Sequence, residues 1–329
     1  MLKVSLIVTV LNEAQTIELL LEAITTQTRL PDELIIVDGG SSDNTTKIIN
    51  KFVKTKTKQS SKSAKLFKNN FILKKLPNSN RAQARNWAIS KAKNQLIAIT
   101  DAGCIPQPSW LEKLLDSYQT TKAPIIGGYF FGLATNPFEQ AVVAYTLQAP
   151  HTLNPETFIP TTRSVLLTKK IYQELGGFDE QLTTNEDFPF FFFAKDRGVE
   201  IELCKEALVG WIPRSNLSQF IKMIFGFAKG DIEAGIVRPK VQLLFGRYLL
   251  VLAAVLGLIL FTNVNLIKLL PALLFWLAIY LIWAIYKNAR YAPQGWYWLP
   301  FFQLIADFTV MIGSITGLVS RYKYQPQVK

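Results

Sequence analysis

The chain has 329 residues but only one histidine, His151, and two cysteines, Cys104 and Cys204. A single histidine leaves nothing for a His-based metal site and argues against a Ser-His-Asp triad. Two cysteines make neither a disulfide framework nor a zinc site, and Cys104 reads as a small packed residue. No G-x-G-x-x-G follows the first apolar run, and no G-x-x-x-x-G-K-[ST] occurs anywhere, so the usual dinucleotide and P-loop phosphate turns are not encoded. The opening "MLKVSLIVTVLNEAQ" turns polar within a dozen residues, so no secretory signal is expected there and the N-terminal part is expected in a reducing cytosol.

Acidic residues are unevenly spread. Asn44 to Thr100 holds no Asp or Glu but fourteen Lys and Arg; with a net charge of +12, the rest of the chain sums to −2. The excess is densest in "KTKTKQSSKSAKLFK", residues 54–68. Two readings of this run stay open: a solvated Lys-rich loop or helix end, or attraction to anionic lipid headgroups. Nucleic acid is not an expected partner, because interleaved aromatics and an Arg-rich reading surface are lacking.

What the chain has in quantity is apolar sequence, 49% of residues, and its distribution changes near residue 240. Residues 248–267 and 269–286 carry no charge, and 299–320 only Asp307. Each is long enough to cross about 30 Å of hydrocarbon. Spans are expected over about 245–265, 269–286 and 299–320, within an anchor of residues 236–329 that follows a soluble domain of residues 1–235. Trp296, Tyr297 and Trp298 suit an interfacial belt. Arg238, Lys240 and Arg247 before the first span, with Lys287 and Arg290 after the second, place both groups and the soluble domain on the cytoplasmic side. Arg321, Lys323 and Lys329 would then lie outside, so an interfacial or re-entrant third segment is the rival. Asp307 either faces other helices or water, or makes a polar contact in a lipid or glycan path.

The first 235 residues alternate strand and helix patterns. "KVSLIVTVL" and "ELIIVDGG" read as buried strands, and "KLFKNNFILKK" as a weaker one. "QLIAIT" is the next strand, ending in Asp101. Helices are expected from about Ala14 to Thr26, after "SDN" with Ser42 or Asp43 as N-cap, and over "NRAQARNWAISKAK" with Ala82, Ala84, Ala88 and Ile89 on the packed side. The fold class is therefore α/β, a mostly parallel sheet covered on both faces. Such sheets bind ligands beyond the carboxyl ends of their strands. There stand Thr9 with Asn12 and Glu13, then Asp38, then Asp101. "LGGFDE" reads as a turn with glycines at positive φ. Residues 215–231 form either an amphipathic helix on the membrane surface or a packed internal one.

"VSLIVTVLNEAQTI", "ELIIVDGGSSDNT", "RAQARNWAI", "ITDAGCIPQPSWL" and "LGGFDEQLTTNEDFPFFFFAKDRG" stand in an order and spacing that resembles family 2 glycosyltransferases of the GT-A fold, over about residues 3–235. The resemblance implies that Thr9, Asn12 and Glu13 cradle a nucleoside and that Asp38, with Gly39, meets its base. It places Arg81 and Arg85 near a nucleoside-diphosphate sugar, and Asp101 with Ala102 and Gly103 at the ribose and metal. Of the adjacent Glu186 and Asp187, which residue spacing alone does not separate, it selects Asp187 as catalytic base. It implies inverting transfer to a glycan or lipid-linked acceptor at the cytoplasmic face of a cell membrane crossed several times. Gly103 departs from the family's D-x-D. Mg²⁺ or Mn²⁺ on the single carboxylate of Asp101 is expected, and neutralisation by Arg81 or a nearby Lys is the rival. The apolar "FPFFFF" after Asp187 either raises its pKa or is plain core. No QxxRW-type segment follows the acid pair, which argues against a processive synthase. The alternative from another class is a non-catalytic sugar-nucleotide-binding membrane protein.

Overall fold

Near-continuous runs of β-branched and aliphatic residues favour strands buried on both faces, and two such runs form the centre of a sheet. In the computed structural model, which describes residues 2–59, 62–147, 150–262 and 266–321, these are β1 (Val4–Val10) and β2 (Glu33–Asp38). The other strands are β3 (Phe71–Lys75), β4 (Leu96–Asp101), β5 (Cys104–Pro106), β6 (Ile125–Gly132), β7 (Val165–Thr168) and β8 (Ile201–Trp211). They lie in the order β3-β2-β1-β4-β7-β6-β8-β5. β3, β2, β1 and β4 are mutually parallel. β7 then runs antiparallel to β4 and β6, while β8 is parallel to β6. The sheet is thus parallel where the ligand crevice is expected and mixed beyond it.

Helices α1 (Ile17–Thr25), α2 (Thr45–Thr57), α3 (Lys62–Asn69), α4 (Arg81–Lys91) and α5 (Trp110–Thr121) come first in the chain. α6 (Pro137–Thr146), α7 (Lys169–Glu174) and α8 (Asp187–Asp196) follow. The alanine face expected on α4 is buried at Ala82, Ala84, Ala88 and Ile89, and packs with Ile7, Ile35, Val37, Ile97 and Ile99 from one face of the sheet. Phe178, Phe190 and Phe191 join the same cluster, so much of the aromatic run after Asp187 is core. α4 begins with a full capping box, Asn80 and Gln83 each accepting from the other's backbone N–H.

Two local expectations are corrected. The strand read over "KLFKNNFILKK" covers only Phe71–Lys75; the preceding residues form α3, because Ala64, Leu66 and Phe67 bury together on one helical side. The Lys-rich run therefore lies on α2 and α3, and Ser60 and Ser61 between them fall outside the described residues. The cap position of α2 is Asn44 rather than Ser42 or Asp43, although the Asp43 carboxylate does accept from the Thr45 N–H at 2.9 Å.

The chain divides into two compact units. One runs to Leu133 and resumes over 150–212, and carries the sheet; the other takes 134–147 and the described residues from Pro213 onward. In the second unit, α9 (Leu217–Glu233), α10 (Pro239–Thr262), α11 (Leu266–Asn288) and α12 (Leu299–Arg321) follow α6. The last three are long and apolar enough to cross a membrane. α9 is packed on one side: a Cβ on Gly313 of α12 would lie 2.9 Å from the Phe225 carbonyl oxygen, and one on Gly317 2.6 Å from that of Lys229, so the two helices meet backbone to backbone. The other side of α9 leaves Leu217 and Ile221 exposed. Asp307, inside α12, accepts from Arg247 (2.8 Å), Tyr248 (3.0 Å), Tyr280 (2.6 Å) and Gln303 (2.9 Å). It faces other helices, the first of the two readings its position allowed.

Candidate active site

The parallel register fixes which strand-end side chains stand together. Thr9 of β1 pairs with Asp101 of β4, whereas Val10 pairs with Asp38 of β2. Side chains alternate along a strand and neighbours in register share a face. Asp101 therefore leaves the sheet on the side of α4 and α8, and Asp38 on the other, both at the carboxyl edge.

On the first side, α4 projects Arg85 into the space below Asp101. Its guanidinium binds Asp101 at 2.7 Å and also pairs with Glu186, the residue before α8. Arg85 and Glu186 are each 2% exposed, while Asp101 is 27% exposed. Burial alone would lower the guanidinium's pKa; the charges of Asp101, Glu186 and Asp187 reverse this and hold it above its ordinary value. Asp187 stands beside them. The Thr162 N–H donates to its Oδ2 at 3.1 Å, and the Thr162 hydroxyl lies 3.1 Å from the same oxygen and 3.3 Å from Asp101 Oδ2. Thr162 is thus the shared neighbour of both acids.

Of the two readings of the aromatic run, a raised Asp187 pKa is not the one realised. Burial does push it up, but the charge of Arg85, two hydrogen bonds from Thr162 and the charge of Arg163 outweigh burial and hold it below its ordinary value. It is a carboxylate at neutral pH. Cys104, 1% exposed, is driven the other way: burial and the nearby charge of Asp101 push its thiol up to about 12, so it is a packed residue and not a nucleophile.

On the second side, two loops are stitched together. Asn12, at φ 56°, accepts on Oδ1 from the Ser42 N–H at 2.9 Å, and its own N–H donates to the Ser41 hydroxyl at 2.9 Å. The Glu13 N–H donates to the Thr45 hydroxyl at 2.8 Å. Asp38 is fully buried; its Oδ1 accepts from the Ser41 N–H (2.9 Å) and hydroxyl (2.5 Å), while Oδ2 is buried without a hydrogen-bond partner among the described residues. Gly39 is backed by the Ser79 carbonyl oxygen, 3.2 Å from where a Cβ would sit. A side chain there would press on that carbonyl and need the Ser79 backbone to shift by a few tenths of an ångström.

Ala102 and Gly103 are half-buried in the turn after β4, Gly103 at φ 78°. A Cβ on Gly103 would lie 3.9 Å from Glu13 Oε2, so Glu13 borders the position that lacks a carboxylate. No group of three or more His, Cys, Asp or Glu suited to a metal gathers among the described residues. Asp101 alone, partly exposed and with one edge taken by Arg85, suits a cation whose other ligands come from a bound phosphate and water.

The expected residues therefore fall into two clusters on one sheet edge: Asp101, Arg85, Glu186 and Asp187 in one, and Asp38, Gly39, Asn12 and Glu13 in the other. Thr9 is half-buried next to Asp101 in register. Arg81 is exposed on the first turn of α4 and forms no ion pair among the described residues. Two residues were not foreseen, Thr162 and Arg163. They lie between Thr157 and β7, where neither helical nor strand periodicity marks them.

Residues 5–176, just over half of the chain, match the family model described as Glycosyl transferase family 2. The chain is 24% identical over 235 residues to "Glycosyltransferase AglE" of Haloferax volcanii, covering 70% of this chain and 73% of that protein. Among solved structures it resembles the mannosyltransferase PcManGT from Pyrobaculum calidifontis in complex with GDP-Man and Mn²⁺. The TM-score is 0.64 at 16% identity, covering 95% of this chain and 87% of that one. S. aureus TarS residues 1–349, in complex with UDP, matches with a TM-score of 0.50 at 18% identity over 98% of this chain and 92% of that one.

Proposed function

The chain belongs to glycosyltransferase family 2, with a GT-A-like α/β fold followed by membrane-length helices, and we propose that it moves a glycosyl group from a nucleoside-diphosphate sugar to a hydroxyl or phosphate acceptor at the cytoplasmic face of a membrane, with inversion. The observation that carries this reading is the convergence of Asp101 and Asp187 on the Thr162 hydroxyl, at 3.3 and 3.1 Å. One acid is then available to the donor side and the other to the acceptor, in a single crevice.

Asp187 is the base. It is ionised throughout the neutral range, and Thr162 holds its Oδ2 in place. As the acceptor oxygen bonds to the anomeric carbon, the acceptor proton passes to the Asp187 carboxylate. Arg85 and Glu186 position rather than react, since both are closed off from solvent. Asp38 offers its unpartnered Oδ2 to an N–H of the nucleotide base, which relieves a buried acceptor. A divalent cation held by Asp101 and the donor's phosphate oxygens would supply positive charge to the departing diphosphate. The three membrane-length helices and the basic residues Arg238, Lys240, Lys287 and Arg290 support a multi-pass location with the catalytic unit inside. The acceptor is assigned to the glycan or lipid-linked class.

The test uses the purified full-length protein in detergent with UDP-, GDP- and dTDP-sugars, each with and without Mg²⁺ or Mn²⁺. Release of the nucleoside diphosphate is followed. Release from one donor, lost in Asp187→Asn, is the expected result. No release and no thermal shift with any donor would overturn the reading.

A further inference from the structure

Arg163 occupies a rigid position beside the crevice. Its carbonyl oxygen accepts from the Thr100 hydroxyl at 2.8 Å. Thr162 before it is fully buried, and Ser164 after it is 1% exposed and accepts from the Trp110 indole N–H at 2.8 Å. The backbone of 162–164 is therefore held on both sides. Its guanidinium carbon lies 4.8 Å from the centre of the Phe130 ring and 5.2 Å from that of Trp211. In the β6–β8 pairing, Phe130 stands opposite Val209 and Gly132 opposite Trp211, so both rings rise from one face of the sheet.

The contrast with Arg85 is chemical. Arg85 spends its guanidinium on Asp101 and Glu186. Arg163 makes no ion pair among the described residues, is half-buried, and yet its charge acts on Asp187 and on Cys104. Two aromatic rings hold the group in place without using its N–H donors, which suit an oxyanion. A planar, permanently charged donor fork beside a crevice with one available carboxylate suits a phosphate.

We propose that Arg163 binds the β-phosphate of the donor and takes up the negative charge that gathers there as the glycosyl bond breaks. It thereby does part of the work for which position 103 offers no metal-holding carboxylate. This rests on the nucleotide-sugar reading above. In the step, the bond from the anomeric carbon to the β-phosphate oxygen breaks and its electron pair leaves with that oxygen. The acceptor oxygen forms the new bond, and its proton goes to Asp187. Arg163 stays protonated throughout and exchanges no proton.

The experiment measures equilibrium binding of UDP, UMP, GDP, GMP, dTDP and dTMP to the full-length protein in EDTA, for the wild type, Arg163→Gln and Arg163→Lys. The thermal unfolding of each variant is checked alongside. The wild type is expected to prefer one diphosphate over its own monophosphate. Arg163→Gln is expected to lose about tenfold or more in affinity for that diphosphate, with the monophosphate little changed, and Arg163→Lys to fall between them because it keeps the charge without the fork. If Arg163→Gln keeps the wild-type preference for the diphosphate, Arg163 does not bind the β-phosphate. If the wild type binds none of the six in EDTA but binds a diphosphate once Mg²⁺ or Mn²⁺ is added, the metal and not Arg163 carries the β-phosphate and this assignment fails alone; if it binds none of the six under either condition, the nucleotide-sugar reading fails first.

Discussion

Arg85 and Glu186, a hundred and one residues apart, form an ion pair in which each side chain is only 2% exposed. Water cannot compensate either charge if its partner is removed. Arg85→Met should therefore destabilise the sheet-bearing unit by about 3–5 kcal/mol, the range for orphaning one member of a buried pair. Glu186→Gln should cost less, since Asp101 still faces Arg85. Chemical unfolding followed by tryptophan fluorescence checks the order of the two, and equal losses would argue that Asp101 carries none of the compensation.

Asp187→Asn removes the proton acceptor but keeps a side chain that can receive hydrogen bonds from Thr162. Transfer should drop by about 10²–10⁴-fold, the contribution of a positioned base. Donor affinity should move little. A variant with wild-type turnover would remove Asp187 from the chemistry.

The pH profile follows from the direction of the Asp187 shift. Its folded-state value is held below the ordinary 3.8, so folding favours the charged form. The associated stabilisation is fully present above the unfolded value and is lost as pH falls through the depressed folded one. Between about pH 5 and 7 the free enzyme's kcat/KM should show no acidic limb from this residue. An inflection in that window that vanishes in Asp187→Asn would contradict the arrangement of Arg85, Thr162 and Arg163 around it.

Asp307 is the counterion of Arg247 and also accepts from two tyrosines and Gln303 within the helical unit. Asp307→Ala should leave Arg247, Tyr248 and Tyr280 without their shared acceptor and destabilise the helical unit. Arg247→Met together with Asp307→Ala should recover part of that loss. Melting temperatures in detergent for the two single variants and the double variant give the coupling directly; additive losses would mean the pair is not coupled.

Much of this was legible in the sequence because it was local. Apolar runs of strand length gave the parallel half of the sheet. Alanines at helical spacing gave the packed face of α4, and acids at strand ends gave the crevice edge. What escaped depends on residues distant in the chain. The segment before β3 became a helix because Ala64, Leu66 and Phe67 found one common core side. The aromatic run after Asp187 left a raised pKa and plain core both open; Arg85, the hydrogen bonds from Thr162 and Arg163 decide the sign. The family resemblance put Arg85 near the donor; its place between Asp101 and Glu186 follows from three segments meeting. Thr162 and Arg163 sit in an irregular stretch where no pattern marks a residue as special.

The turn at Gly103 bears on what a second carboxylate in this site would meet. Its backbone is in the left-handed region, at φ 78°, and its missing side chain would face Glu13 Oε2 at 3.9 Å. An aspartate placed there would meet both a disfavoured conformation and a like charge. A second carboxylate at this turn would therefore sit against Glu13, and a cation bound there would be held by residue 13 as much as by residue 103.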